Sequence, residues 1–177
     1  MKRLLLAFAL LLPAMACAGS LQPLAAGDIA ALVKPPTHGE RIIALWALDC
    51  AYCEPNLQAL ANLQRQHPNQ IELVIVTTDS IDQATAIESR LRGMQMDGYA
   101  NRAYAEASPE HINFLLDPNW GGETPRALVI RADGSRLGIS GALTPAQLRK
   151  LLQGGACPPP AQPHEPAGNA RPTPGRV

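Results

Sequence analysis

The sequence predicts one α/β domain in which a central mixed sheet is flanked by helices, and three observations carry that expectation. Apolar, β-branched runs alternate with stretches of helical periodicity. The second half closes on a turn-signalled hairpin followed by a capped helix. A length of 177 residues, 46% of them apolar and 17% charged, supplies the core of one domain and excludes disorder throughout. The expected order is βαβ, an inserted αβ segment, then ββα.

Arg41 to Leu48 (RIIALWAL) is almost wholly apolar with little alternation, as a strand covered on both faces must be. Pro55 to Gln66 sets Leu57, Leu60, Ala61 and Leu63 on one side of a helix, and Pro68 closes it. Ile71 to Thr77 (IELVIVT) is short and β-branched, a second strand. Two strands joined by a helix form a parallel unit, because parallel neighbours require a crossover. Ser80 to Arg92 and Gly98 to Ala107 read as helices, with Gly93 and Gly98 as interruptions, and Ile112 to Leu116 reads as a short strand. A loop over 117–125 follows. Arg126 to Arg131 and Arg136 to Ser140 make a hairpin over Asp133-Gly134. Thr144 as N-cap and Pro145 at the first helical position open the last helix, whose core stripe is Leu148, Leu151 and Leu152.

The ends stand apart from this pattern. Residues 1–18 have the form of a secretory leader: Lys2 and Arg3, the apolar run Leu4 to Leu12, the helix breaker Pro13, then small residues. Both Ala14-Met15-Ala16 and Ala16-Cys17-Ala18 satisfy the small-x-small rule for cleavage, and the favoured product begins near Gly19. Cys17, directly after Ala16, is also a candidate lipid anchor, although Ala14 stands where a lipobox normally has Leu. Residues 19–39 lead into the domain at 40–153. The tail, 154–177, holds seven of the chain's 17 prolines and no large apolar residue before Val177, so it is expected to remain disordered. Fifteen basic residues balance fifteen acidic ones, and no basic run is longer than the pairs Lys2-Arg3 and Arg149-Lys150. Nothing in that charge pattern neutralises phosphates, which argues against nucleic acid as a partner.

The chemistry concentrates at Cys50-Ala51-Tyr52-Cys53, at the junction of a buried strand and the helix after it. Unpaired amide N–H groups and the helix dipole favour a thiolate there. Two intervening residues let the sulfurs close a small disulfide ring, so one Cys can attack a partner disulfide and the other resolve the mixed disulfide. A lone CxxC is also compatible with half of a zinc site or with a fixed structural disulfide. Zinc needs four ligands, but the chain has no second CxxC or HxxxH, and its four His are scattered. A structural disulfide over so short a loop restrains the unfolded chain little. The redox reading is favoured, with no metal and no cofactor.

With Trp46 four positions before the first Cys, the CxxC at a strand-to-helix junction and Thr124-Pro125 immediately before a strand, the chain resembles the thioredoxin superfamily. In particular it resembles the exported TlpA-like disulfide reductases, over residues 40–153. The resemblance implies a thioredoxin-like fold with Cys50 as nucleophile, Cys53 as resolving thiol and Pro125 as a cis-proline. It also implies that the backbone of Thr124 pairs with an extended substrate segment and that Trp46 shapes the surface beside it. The implied partners are disulfide-bonded exported proteins and a membrane thiol reductase that returns electrons in the periplasm. Thioredoxins commonly carry a buried acid six residues before the first Cys, where this chain has Ala44. Glu54 and Glu123 are therefore the candidate proton acceptors for the resolving thiol. Asp49 replaces the Trp of many relatives. Ala51-Tyr52 offers no cation to stabilise a thiolate, which favours a reductase over an oxidase.

Other functions leave their own signatures. A disulfide oxidase or isomerase would use the same two thiols. A copper-binding protein would need His111 beside the pair, and a non-catalytic interaction module would use the 117–125 loop or the tail. Trp120 either lines a substrate groove or anchors that loop. Cys157 has no evident partner in a compartment where disulfides persist.

Overall fold

The computed structural model describes residues 19–152. The expected leader, with Cys17, and the expected tail, with Cys157, lie outside the described residues. The elements run β1 (Gln22–Leu24), α1 (Ala26–Leu32), β2 (Glu40–Trp46), α2 (Cys53–Gln66), β3 (Ile71–Ser80) and a 3-10 turn (Ile81–Gln83). They continue with α3 (Ala84–Gly93), β4 (Ala100–Tyr104), α4 (Pro109–Leu116), β5 (Arg126–Arg131), β6 (Arg136–Ser140) and α5 (Pro145–Leu152).

The strands form one mixed sheet in the order β1-β4-β3-β2-β5-β6. β1, β4, β3 and β2 are mutually parallel, while β5 and β6 join antiparallel. β2 lies inside the sheet and is covered on both faces, which accounts for its unbroken apolar run. Ile42, Ala44 and Trp46 face a core shared with Leu57, Leu60 and Ala61 of α2, Ile87 and Leu91 of α3, and Leu151 of α5. Ile43 and Leu45 face the other core, with Ile29 and Leu32 of α1, Ile112 and Leu116 of α4, and Trp120. Each buried Leu or Ile among them contributes about 1.5–3 kcal/mol by leaving water.

The last helix begins as its sequence dictates. The Thr144 hydroxyl accepts from the Gln147 amide at 3.3 Å, and the Gln147 side chain accepts from the Thr144 amide at 2.8 Å, a closed capping box. Residues 19–39 are part of the same sheet and core: β1 pairs with β4, and α1 packs on α4.

The inserted segment corrects two expectations. Gly98 to Ala107 is not a helix; its centre is β4, paired with β3 on one side and β1 on the other. Ala100, Asn101 and Arg102 have little strand preference, so tertiary pairing overrides local propensity. Ile112 to Leu116 is not a strand but the end of α4. Five apolar residues in a row cannot distinguish strand from helix by period. The deciding signal lies upstream, in Ser108 at the N-cap and Pro109 in the first turn. Ile112 and Leu116, four apart, take the buried face and leave Phe114 exposed.

Candidate active site

β2 delivers the chain from Trp46 into a tight loop, in which the Cys50 amide donates to the Ala47 carbonyl at 3.2 Å. Tyr52 caps α2 and Cys53 is its first residue. Pro55 follows in the first turn, where a missing N–H costs no helical hydrogen bond. Cys50 and Cys53 are joined in a disulfide with their Cα atoms 5.5 Å apart. The ring is asymmetric. Cys53 is 2% exposed and packs in the core with Trp46 and Leu57, whereas Cys50 is only partly covered and the intervening Tyr52 is 69% exposed. The sulfurs therefore sit where the free amides of an α2 N-terminus stabilise negative charge, with one thiol accessible and one enclosed.

Two polar side chains that sequence reasoning passed over hold this loop and its neighbour. Asp79, at the bulge where β3 changes register with β4, accepts from the Leu48 amide at 2.8 Å and from the Thr77 hydroxyl. It anchors the approach to Cys50. Asn56 is 6% exposed and lies one turn beyond Cys53 on the same helix face. Its side-chain N–H donates to the Gly141 carbonyl at 2.8 Å, and its carbonyl accepts from the Leu143 amide at 2.9 Å. A signal for it existed: Cys53, Asn56, Leu57 and Leu60 follow the spacing of a buried stripe, in which a lone amide must find partners.

The second wall of the site comes from β5. Leu45 of β2 pairs with Arg126, so Pro125 stands at the end of β2 from which the Cys50 loop departs. The Thr124–Pro125 peptide is cis, and the Pro125 carbonyl accepts from the Gly141 amide at 2.8 Å. Gly141 has φ +84°, a conformation that glycine adopts without strain. Pro125 is buried and Thr124 partly exposed beside it.

The loop preceding Pro125 is fixed by charge and one indole. Trp120 is 5% exposed and packed in the α1/α4 core, and its indole N–H donates to the Glu123 carbonyl at 2.8 Å; it anchors the loop. Arg126 stacks 5.9 Å from the Trp120 ring centre and donates to the largely buried Asp117 carboxylate and to the Ser140 hydroxyl. Burial pushes the Asp117 carboxyl up, but the Arg126 hydrogen bond, the Asn119 amide and the charges of Arg126 and Arg136 outweigh it, leaving a lowered pKa. Glu123 is also held low, chiefly by the Ser140 hydroxyl, with Arg126 adding to it.

The expected site residues divide accordingly. Cys50, Cys53, Thr124 and Pro125 are brought to one end of β2. Trp46 is 1% exposed and supports Cys53 from the core, so it reaches a substrate only through what it supports. The Glu54 carboxylate is 3.4 Å from Arg90 of α3. Glu123 faces Ser140 and Arg126. His111 lies on α4, 3.5 Å from Glu106, on the face of the sheet opposite α2.

A mixed sheet in this order, a CxxC disulfide at the N-terminus of the helix that follows a central strand, and a cis-proline heading the neighbouring strand define a thioredoxin-like fold. No protein-family model matches the chain, and no curated protein matches it in sequence. Among solved structures it is similar to a thioredoxin-related protein from Neisseria meningitidis serogroup B, with a TM-score of 0.51 and 19% identity over 66% of this chain and 84% of that one. It is also similar to a thiol:disulfide interchange protein of the thioredoxin family from Chlorobium tepidum, with a TM-score of 0.50 and 18% identity over 66% and 79%. A secreted Mycobacterium tuberculosis disulfide oxidoreductase homologous to E. coli DsbE gives a TM-score of 0.50 and 15% identity over 64% and 80%.

Proposed function

We propose that the protein is an exported thiol-disulfide oxidoreductase that reduces disulfides of periplasmic proteins through the Cys50/Cys53 dithiol. The observation that carries this reading is the asymmetric ring at the N-terminus of α2, with Cys50 accessible and Cys53 enclosed. In the dithiol form, the Cys50 thiolate attacks one sulfur of a substrate disulfide. A Cys50–substrate bond forms, and the second substrate sulfur leaves as a thiolate that takes up a proton. Cys53, deprotonated in turn, attacks the Cys50 sulfur. The Cys50–Cys53 bond re-forms and the first substrate sulfur departs, so the substrate gains two electrons and two protons in all. The disulfide form is thus the end point of a turnover, and a membrane thiol reductase restores the dithiol.

The cis Pro125 segment supports a substrate position at the end of β2, where the Thr124 backbone pairs with an extended strand. Glu54 and Glu123 are the carboxylates proposed to receive the Cys53 proton. The leader read at residues 1–18 supports export, and Cys17 supplies an anchor if it is lipidated. The lack of a cation in Ala51-Tyr52 supports the reducing direction.

The test is reduction of a protein disulfide by the pre-reduced chain, quenched with acid and read by thiol alkylation and mass. Cys50→Ser should abolish the reaction, and Cys53→Ser should accumulate a mixed disulfide between Cys50 and the substrate. Undiminished reduction by Cys50→Ser would overturn the assignment.

A further inference from the structure

We infer that Asn56 is a positioning residue for this exchange: its side-chain amide sets the Pro125 segment in register with the helix that carries the cysteines. The inference rests on the dithiol reading above and adds to it a residue that fixes where a protein substrate meets Cys50.

The two halves of the site arrive on different elements, separated by more than 70 residues of chain. Cys50 and Cys53 are carried by the β2–α2 junction, and Thr124 and Pro125 by the approach to β5. Asn56 connects them in two hydrogen-bonded steps. Its amide exchanges a donor and an acceptor with Gly141 and Leu143, and the Gly141 amide holds the Pro125 carbonyl. Gly141 thus has its carbonyl on the active-site helix and its amide on the proline segment, so a displacement of either side is passed to the other.

The chemistry of the side chain is specific. One short group must present a donor to a carbonyl and an acceptor to an N–H, which an amide does and an ionised carboxylate does not. Leucine has the volume but leaves the two backbone groups without their partner. The orientation of the amide is determined by the same pair, since a flip would face donor to donor.

A small disulfide needs only the Cys50 sulfur, whereas a protein disulfide must also lie against Thr124 and Pro125. Loss of register therefore falls on protein substrates. A misplacement of about 1 Å can cost about 100-fold in rate, so even a partial loss is measurable.

The experiment compares two rates for each pre-reduced variant: reduction of insulin, and exchange with the small aromatic disulfide 5,5′-dithiobis(2-nitrobenzoate). The variants are Asn56→Leu and Asn56→Asp, with Gln58→Leu as control, and parent and variants all carry Cys157→Ser so that both rates read the Cys50/Cys53 pair alone. Gln58 lies on the same helix and donates to a backbone carbonyl at 2.7 Å, but to Met94 at the end of α3. The ratio of the insulin rate to the small-disulfide rate is expected to fall about 10-fold or more in Asn56→Leu, through kcat/KM for insulin. Asn56→Asp loses only the donated bond and remains to be read if Asn56→Leu does not fold; its ratio should fall in the same direction. Gln58→Leu should keep the parent ratio. Equal losses on both substrates in the Asn56 variants, or the same ratio change in Gln58→Leu, would make Asn56 a stabilising residue only and overturn the assignment. A parent chain inert toward both disulfides would instead overturn the dithiol reading on which it rests.

Discussion

Asp117 and Arg126 illustrate how much of this molecule depends on single polar side chains behind the site. Both are largely buried and joined by a charge-assisted hydrogen bond, so removing one partner leaves the other charge uncompensated. Arg126→Leu should therefore lower stability by roughly 3 kcal/mol in denaturant titrations. The pH dependence follows from the same contact. Asp117 has a folded pKa below its unfolded value, so its contribution is present above about pH 4 and is lost as acid protonates it through the folded value. Melting temperature measured against pH should fall below about pH 4, and Asp117→Asn should flatten that slope. The same parent slope in Asp117→Asn would assign acid sensitivity to other carboxylates.

At the scale of elements, the β5–β6 hairpin has a steric requirement. A Cβ on Gly138 of β6 would lie 2.1 Å from the Arg126 guanidinium and 3.0 Å from the Asp117 carboxylate. Gly138 is the space across which Arg126 reaches Asp117. Gly138→Ala should cost about 1–3 kcal/mol as an overpacked site and shift the acid slope, both readable in melts at several pH values. The elements also differ in how legible they were. β2, α2, β3, the hairpin and α5 follow from periodicity and caps, because their buried faces are continuous in sequence. β4 is not legible locally, because Ala100 to Tyr104 becomes a strand only through its neighbours on both sides. Ile112 to Leu116 is too short to show a period, and only Ser108-Pro109 upstream marks it as the end of α4. β1 and α1, of three and seven residues, are too short to stand out within the lead-in at 19–39, although Leu24, Ile29 and Leu32 enter the core. Within the site, the cysteines and Thr124-Pro125 were visible as motifs. Asn56 and Asp79 were not, since their partners are set by tertiary register across 31 to 87 residues.

For the molecule as a whole, the sheet arrangement determines where chemistry can occur. β2 has a parallel neighbour in β3 and an antiparallel one in β5. Its C-terminal end therefore leads into a helix N-terminus while β5 begins beside it with Pro125. One end of one strand thus combines a thiolate-favouring dipole with the cis Thr124–Pro125 segment. Core truncation under this site should be felt globally: Leu60→Ala removes a fully buried side chain of α2 and should cost about 2–5 kcal/mol in denaturant titration.

The central claim is that this dithiol donates electrons, and the reduction potential of the Cys50/Cys53 couple tests it most directly. The chain would be equilibrated against a dithiothreitol or glutathione series and the two redox forms read by thiol trapping and mass. A potential near or below about −270 mV is the predicted result for a reductase recharged by a membrane donor. A potential near about −120 mV would identify a dithiol oxidase and contradict the direction of electron flow proposed for this site.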